Sequence, residues 1–152
     1  MDVAIVEDLL QKAAEHSSAW AVVREEGSDA WIVVLRDETL LDAEYDGPSQ
    51  QIRFRAELGL VADTAQRHAI NELILRSQGV IPMPALGLAP DNRYELLANW
   101  SLHELDAVAL GAELDHLTEQ IQLWRDVVAQ PLMPQKPSMP LEPNRLDIGM
   151  FA

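Results

Sequence analysis

The four histidines are the residues best suited to acid–base or metal chemistry. They are His16, His68, His103 and His116. None has the helical spacing of a metal site, such as His-x-x-x-His or His-Glu-x-x-His. His103 precedes Glu104, and His116 follows Asp115, but neighbours on a helix point about 100 degrees apart and do not form a ready acid–base couple. We therefore expect solvated histidines, no catalytic residue and no metal site.

Other catalytic patterns are also missing. The sequence has no cysteine, no glycine-rich phosphate loop and no Gly-x-Ser-x-Gly turn. Asp42, Glu44 and Asp46 alternate along one strand without a calcium-loop pattern, which favours a solvated strand face. We expect a protein that is not an enzyme and needs no cofactor.

Composition and charge narrow the possible partners. The chain has 152 residues, 48% of them hydrophobic, and a net charge of −14, which fits one globular domain with a core. A negative charge of this size repels phosphates, so nucleic acid is excluded as a partner. The charge either keeps the protein soluble or forms an acidic surface for a basic partner. There is no apolar run of about 18 residues, and the first residues are acidic, unlike a secretory signal. We expect a cytoplasmic protein with no membrane insertion.

Residues 50–78 predict the fold class. Ile52, Phe54 and Ala56 alternate with charged residues, which is typical of a half-buried strand ending near Gly59. Asp63 is placed to cap a helix, with Gln66 three residues later as in a capping box. A strand that feeds an amphipathic helix predicts a sheet with helices on one face.

The N-terminal part predicts a helix over 2–16 and three strands. Apolar runs at 19–23 and 30–35 flank a polar hairpin loop at 25–29, and a weaker strand follows at 39–45. We expect Trp20 and Trp31 to lie near opposite positions. The strand at 30–35 is so apolar that it is either central or has one face against a partner.

The C-terminal part begins with Gly79 as a helix C-cap, followed at 80–88 by a segment that is either a loop or an edge strand. A strand follows at 94–100, then a helix of about 28 residues opened by a Ser101–Glu104 capping box. Its apolar stripe is Leu110, Leu114, Leu117, Ile121, Trp124 and Val128. Together these elements predict an α+β domain over residues 1–129, with an antiparallel twisted sheet, packed helices and the order α-β-β-β-β-α-β-β-α.

Residues 130–152 form a proline-rich segment of a different kind. A proline recurs at every third position: Pro131, Pro134, Pro137, Pro140 and Pro143. This period is typical of polyproline II, which has no internal hydrogen bonds. We expect these prolines and Phe151 to dock on the body of the same chain or of a second subunit; the alternative is a stiff, solvated spacer.

The remaining feature is apolar surface in an acidic chain. Candidates are Val3, Val6, Leu9 and Leu10 on the first helix, and Trp31, Ile32, Val34, Leu40 and Leu41 on the early strands. The plain alternative is that these side chains form the core.

The order of elements and three segments resemble the class I type III secretion chaperones, the Tir-chaperone-like family. The segments are residues 52–59 (Ile-Arg-Phe-Arg-Ala-Glu-Leu-Gly), 70–78 and 94–124. In that family the strand before the second helix often ends in Leu-Gly. Two features depart from the family pattern: there is no clear Asn at the end of the second helix, and the proline-rich segment is additional.

The resemblance implies a homodimer in the bacterial cytoplasm that holds an N-terminal effector segment extended for secretion, with a part in virulence. It implies secreted effectors as partners, and a secretion ATPase or sorting components as further ones. The expected effector-binding residues are Val6, Leu10, Trp31, Ile32, Val34 and Leu41, and the expected dimer interface is Ile70, Leu73 and Ile74. If the proline-rich segment occupies the effector groove, it would act as a placeholder that effectors displace. The alternative function is a non-enzymatic adaptor whose proline-rich segment docks an aromatic groove.

Overall fold

The computed structural model describes residues 2–78 and 84–131 and confirms the predicted order of elements. The elements are α1 Val3–Glu15, β1 Ala21–Arg24, β2 Ala30–Val34, β3 Leu40–Asp46, β4 Gln51–Leu60, α2 Thr64–Ser77, β5 Ala85–Leu88, β6 Arg93–Ser101 and α3 Ala107–Ala129. The strands form one six-stranded antiparallel sheet in the order β1-β2-β3-β4-β6-β5. The α+β class is therefore correct.

Strand β4 shows how alternation builds the sheet. Ile52, Phe54 and Ala56 point into the core and the residues between them are exposed, as the period of two predicts. The strand does not end at Gly59, however. A bulge between Glu57 and Gly59 lets it continue to Leu60 opposite Arg93, with Gly59 at φ 138, which L side chains rarely adopt.

Helix α3 covers the core face of the sheet. All six residues of its predicted apolar stripe are buried. The helix has 23 residues rather than about 28, because it begins at Ala107, where the Asp106 side chain accepts from the Ala109 amide. The Ser101–Glu104 capping box is wrong: Ser101 belongs to β6 and pairs with Gln51 of β4.

Helix α1 packs on α3 and β1 through Val6, Leu10 and Ala13, which are buried. The two helices cross at Gly111 of α3. A Cβ atom at this position would lie 2.9 Å from the carbonyl oxygens of Ala13 and His16. Only a residue without a side chain permits this approach.

The β1–β2 hairpin corrects the predicted position of Trp20. Arg24, not Trp20, lies opposite Trp31, because the register pairs Ala21 with Val34; Trp20 precedes the strand and its side chain is exposed. Strand β2 pairs with β1 on one side and β3 on the other, so it is an interior strand, second from the edge of the sheet.

Helix α2 is attached beside the C-terminal end of α3. Asp63 caps it by accepting from the Gln66 amide at 3.1 Å. The Gln66 side chain does not complete a capping box; it donates to the carbonyls of Val128 and Gln130. The predicted cap at Gly79 lies outside the described residues, and β5 is an edge strand as expected.

Candidate functional site

The histidines, which are the residues best suited to acid–base or metal chemistry, are scattered over the surface. His16, His68, His103 and His116 are all exposed. Within residues 2–78 and 84–131, no group of three or more histidines and carboxylates is arranged to hold a metal ion. In the same ranges no helix is both long and apolar enough to cross a membrane.

Four of the residues expected to bind an effector are placed in the core. Val6, Leu10, Trp31 and Leu41 are at most 1% exposed, so a partner cannot contact them in this conformation. Trp31 and Leu41 face the helices because alternation places them on the covered side of the sheet. Ile32 and Val34 lie on the opposite, uncovered side and are half-buried.

The uncovered side carries an apolar area that we call the open-face patch: Ala21, Val23, Ile32, Val34 and Leu40. The register brings these residues together, since Val34 lies between Ala21 and Leu40, and Ile32 lies beside Val23. Val23 and Leu40 are each 55% exposed. Three neighbouring strands therefore present a continuous apolar surface to solvent, which is a common property of protein-binding sites.

The sequence reasoning missed Val23. Its position could have been found from alternation, because Ala21 and Val23 share one face of β1 while Val22 is buried in the core. Leu40, one of the apolar candidates from the sequence, also lies in the patch.

Charged residues border the open-face patch on the side of the central strands. Asp42 lies opposite Ile32, and its carboxylate forms an ion pair with Arg55 of β4 at 3.1 Å. Further along the face, Arg93 pairs with Glu57 at 2.7 Å. These pairs are exposed and contribute little stability, but they separate the open-face patch from Leu60 of β4 and Leu97 of β6, which lie on the same face.

The edge of the sheet adjoins this patch. Strand β1 pairs with β2 on one side, and no strand among the described residues pairs with its other side. One acceptor of β1, the Val22 carbonyl, is already bonded by Gln11 Nε2 of α1 at 3.0 Å. The remaining unpaired backbone groups of this edge are available to an added strand. An extended peptide could thus reach both the backbone of β1 and the apolar side chains beside it.

Helix α2 offers a second, smaller apolar surface. Of the residues expected at a dimer interface, Ile70 and Ile74 are buried within the chain, whereas Leu73 is 38% exposed. Leu75 on the outer side of α2 is 73% exposed. The helix is anchored by the Tyr94 hydroxyl, which donates to Asn71 Oδ1 at 2.7 Å; burial raises the pKa of Tyr94, although Arg67 opposes the shift.

A groove of about 530 Å³, which we call the end groove, runs round one end of the sheet. Arg125 and Gly59 lie at its α3 side, and Leu40 of the open-face patch is also in its lining. The Arg125 guanidinium donates to the Glu57 carbonyl at 3.1 and 2.9 Å and to the Thr39 hydroxyl. These hydrogen bonds fix the Arg125 side chain against Glu57 and Thr39 in the lining of the groove.

Carboxylates give the end groove an acidic lining: Asp37, Glu38, Asp42 and Glu57. Burial opposes ionisation of Asp37, but hydrogen bonds from Thr39 and Gln122 outweigh it and lower the pKa of this carboxyl. Asp37 therefore stays ionised at neutral pH. Because Asp42 and Glu57 are already paired with Arg55 and Arg93, Asp37 and Glu38 are the carboxylates of the lining that suit a further cationic side chain.

Of the residues expected to dock from the proline-rich segment, only Pro131 is described, and it is exposed. Pro134, Pro137, Pro140, Pro143 and Phe151 lie outside the described residues.

Comparison with known proteins supports the fold. No protein-family model and no curated protein sequence matches the chain. Among solved structures, one similar chain belongs to the HopA1–SchA chaperone–effector complex, with a TM-score of 0.61, 16% identity and coverage of 83% of this chain and 98% of that one. Another belongs to the Yersinia pestis type III secretion chaperone SycH in complex with a stable fragment of YscM2, with a TM-score of 0.58, 14% identity and coverage of 77% and 97%. The chain therefore has the fold found in type III secretion chaperone complexes.

Proposed function

We propose that this protein is a type III secretion chaperone of the bacterial cytoplasm, which binds the N-terminal segment of a secreted effector and keeps it extended. The observation that carries the proposal is the open-face patch, an apolar surface on a sheet of the chaperone fold. A chaperone must bind unfolded chain without folding it. Apolar side chains beside a free strand edge suit an extended segment, since its backbone pairs with the edge and its side chains pack on the patch.

The charge of the chain fits the same role. A net charge of −14 keeps a protein with exposed apolar surface soluble. A chaperone of this kind needs no catalytic group and no cofactor, and it hands its effector to a secretion ATPase or sorting components. Ile32 and Val34 are the expected effector-binding residues that remain accessible, and Val23 and Leu40 join them.

Affinity capture from the native cytoplasm tests this function. We expect the wild-type protein to retain secreted proteins through their N-terminal segments, identified by mass spectrometry after limited proteolysis. The double variant Val23→Asp/Leu40→Asp should lose them, because charges in the patch would be desolvated on binding. Val108→Asp/Leu123→Asp, at comparably exposed positions on α3, is the matched control. Recovery of metabolic enzymes alone, or equal capture by both variants, would refute the proposal.

We further propose that the chaperone acts as a homodimer through α2. Ile70 and Ile74 support the helix from within the chain, while Leu73 and Leu75 supply the exposed contact surface. Leu73→Asp should shift the dimer toward monomer, because a charge at an apolar interface is costly, whereas Leu123→Asp should not. Light scattering at micromolar concentration measures this; a wild-type mass near 16.9 kDa would contradict the dimer.

A further inference from the structure

The proline-rich segment leaves the body at a fixed place. Gln66 Nε2 donates to the carbonyls of Val128 at 3.2 Å and Gln130 at 3.1 Å, which holds the end of α3 against α2. Val128 also packs on Gly59, where a Cβ atom would lie 3.1 Å from its Cγ1. Residue 131 therefore starts beside the bulge of β4, at the α3 side of the end groove.

The end groove leads from this exit to the open-face patch. Gly59 and Arg125 line it at the exit, and Leu40 lines it where it reaches the patch. Strands β3 and β4 are antiparallel, and Asp42 lies opposite Arg55. Two residues further along, the same register places Leu40 opposite Glu57, so Leu40 is one strand away from the β4 bulge. From β4 to β1 the distance is three strand spacings, roughly 14 Å.

The segment is long enough to make this crossing. A segment of 21 residues in polyproline II, at about 3.1 Å per residue, would span roughly 65 Å. About ten residues, or roughly 31 Å, would be enough to pass through the end groove and reach across the patch.

The composition of the segment matches the surface along this path. Its basic residues are Lys136 and Arg145, and its acidic residues are Glu142 and Asp147. Lys136 is the charged residue nearest to residue 131, so the segment would carry it past the groove carboxylates first. The residues suited to an apolar surface are Met139, Leu141, Leu146, Ile148, Met150 and Phe151. Proline also restricts the unbound segment, so docking loses less entropy than docking of a flexible chain.

We propose that residues 132–152 of the same chain cross the end groove and cover the open-face patch until a partner displaces them. Lys136 lies among the groove carboxylates, and Met139 and Leu141 contact Leu40 and Val34. The consequence for effector binding rests on the proposed function: the segment competes with the effector for the patch and lowers its apparent affinity. The docking itself does not depend on that function.

Cysteine crosslinking in the full chain tests the docking, because the sequence has no cysteine of its own. Leu40→Cys is combined with Met139→Cys or with Leu141→Cys, and a short bismaleimide is added to dilute protein without any effector. The control replaces Leu40→Cys by Val108→Cys, an exposed position at the far end of α3. We expect an intrachain link at Leu40 at least roughly ten-fold more abundant than at Val108, since docking raises the local concentration.

A charge reversal gives a second, independent measurement. Lys136→Glu/Arg145→Glu should lower the yield at Leu40 several-fold without changing the yield at Val108, because it opposes the groove carboxylates. The same full-length variant should bind the effector segment more tightly. Equal yields at Leu40 and Val108, or links that join only two separate chains, would overturn the docking. Strong crosslinking with unchanged effector affinity would overturn the competition and leave the docking in place.

Discussion

Asp115 on α3 accepts two hydrogen bonds from Ser18 through a single oxygen. The Ser18 amide donates to Asp115 Oδ1 at 2.8 Å and the Ser18 hydroxyl donates to the same atom at 2.7 Å. Both groups are partly buried. The pair ties the chain just after α1 to the middle of α3, next to the crossing at Gly111.

Replacing this carboxylate should destabilise the helix pair. Asp115→Ala removes the acceptor of both hydrogen bonds and leaves the two Ser18 donors partly buried without that acceptor. We expect the free energy of unfolding to fall by about 2 kcal/mol. Urea unfolding measures the loss. Glu119→Ala, at an exposed position one turn later, is the matched control and should change stability by less than about 0.5 kcal/mol. Equal losses in both variants would show that the pair contributes nothing specific.

The close contact of α1 and α3 at Gly111 predicts that replacing this glycine by alanine destabilises the protein. In an exposed helix, Gly→Ala stabilises by about 1 kcal/mol, but at Gly111 the new Cβ would meet two carbonyl oxygens at 2.9 Å. We expect Gly111→Ala to destabilise by about 1–3 kcal/mol, because backbone atoms must move. Thermal unfolding compares it with Ala112→Gly, the reverse exchange at an exposed neighbour, which should cost about 1 kcal/mol. A Gly111→Ala variant more stable than wild type would contradict the close crossing.

Arg125 is expected to stabilise the β4 bulge. Arg125→Met keeps the aliphatic stem but removes the hydrogen bonds to the Glu57 carbonyl and the Thr39 hydroxyl. We expect a loss of about 2 kcal/mol and faster amide exchange around residues 57–60. Arg53→Met, on the exposed face of the same strand, should leave that exchange unchanged, so identical exchange in the two variants would speak against this role.

Asp37 should make stability depend on acid pH. Its folded-state pKa lies below the ordinary value, so the stabilisation is present above about pH 3.9 and is lost as pH falls through the folded pKa. Asp37→Asn should therefore be less stable than wild type near neutral pH, with a difference that shrinks below about pH 4. Chemical unfolding at both pH values measures it, with exposed Asp29→Asn as control. A difference that is constant with pH would contradict the lowered pKa.

The sequence predicts the elements well where one period decides their structure. The stripe from Leu110 to Val128 repeats at helical spacing over six residues, and every one is buried. Ser101 shows the limit, because its sequence suits a helix cap while pairing with Gln51 places it in β6. Long-range pairing of this kind is not encoded in neighbouring residues, and it overrode the local signal.

The candidate site was harder to predict than the fold. Apolar residues at Trp31 and Ile32 look equivalent in sequence, yet one is in the core and the other is on the open face. Which face of a strand is covered depends on where the helices pack, and a shift of one residue exchanges the two faces. Alternation places Val23 on the face opposite to Val22, but its position beside Ile32 follows only from the register of β1 against β2.

The contact between α1 and α3 has a consequence for synthesis. Ser18 and Asp115 are 97 residues apart, so a nascent chain completes α1 long before its partner helix leaves the ribosome. Strands β1 to β4 can pair through local hairpins in the meantime, because such contacts close short loops and form early. Val6, Leu10 and Ala13 can contact β1 in the meantime, but the surface that they bury against α3 stays uncovered until that helix is made. The most vulnerable period for aggregation of this protein is therefore the interval between translation of the sheet and translation of its last helix.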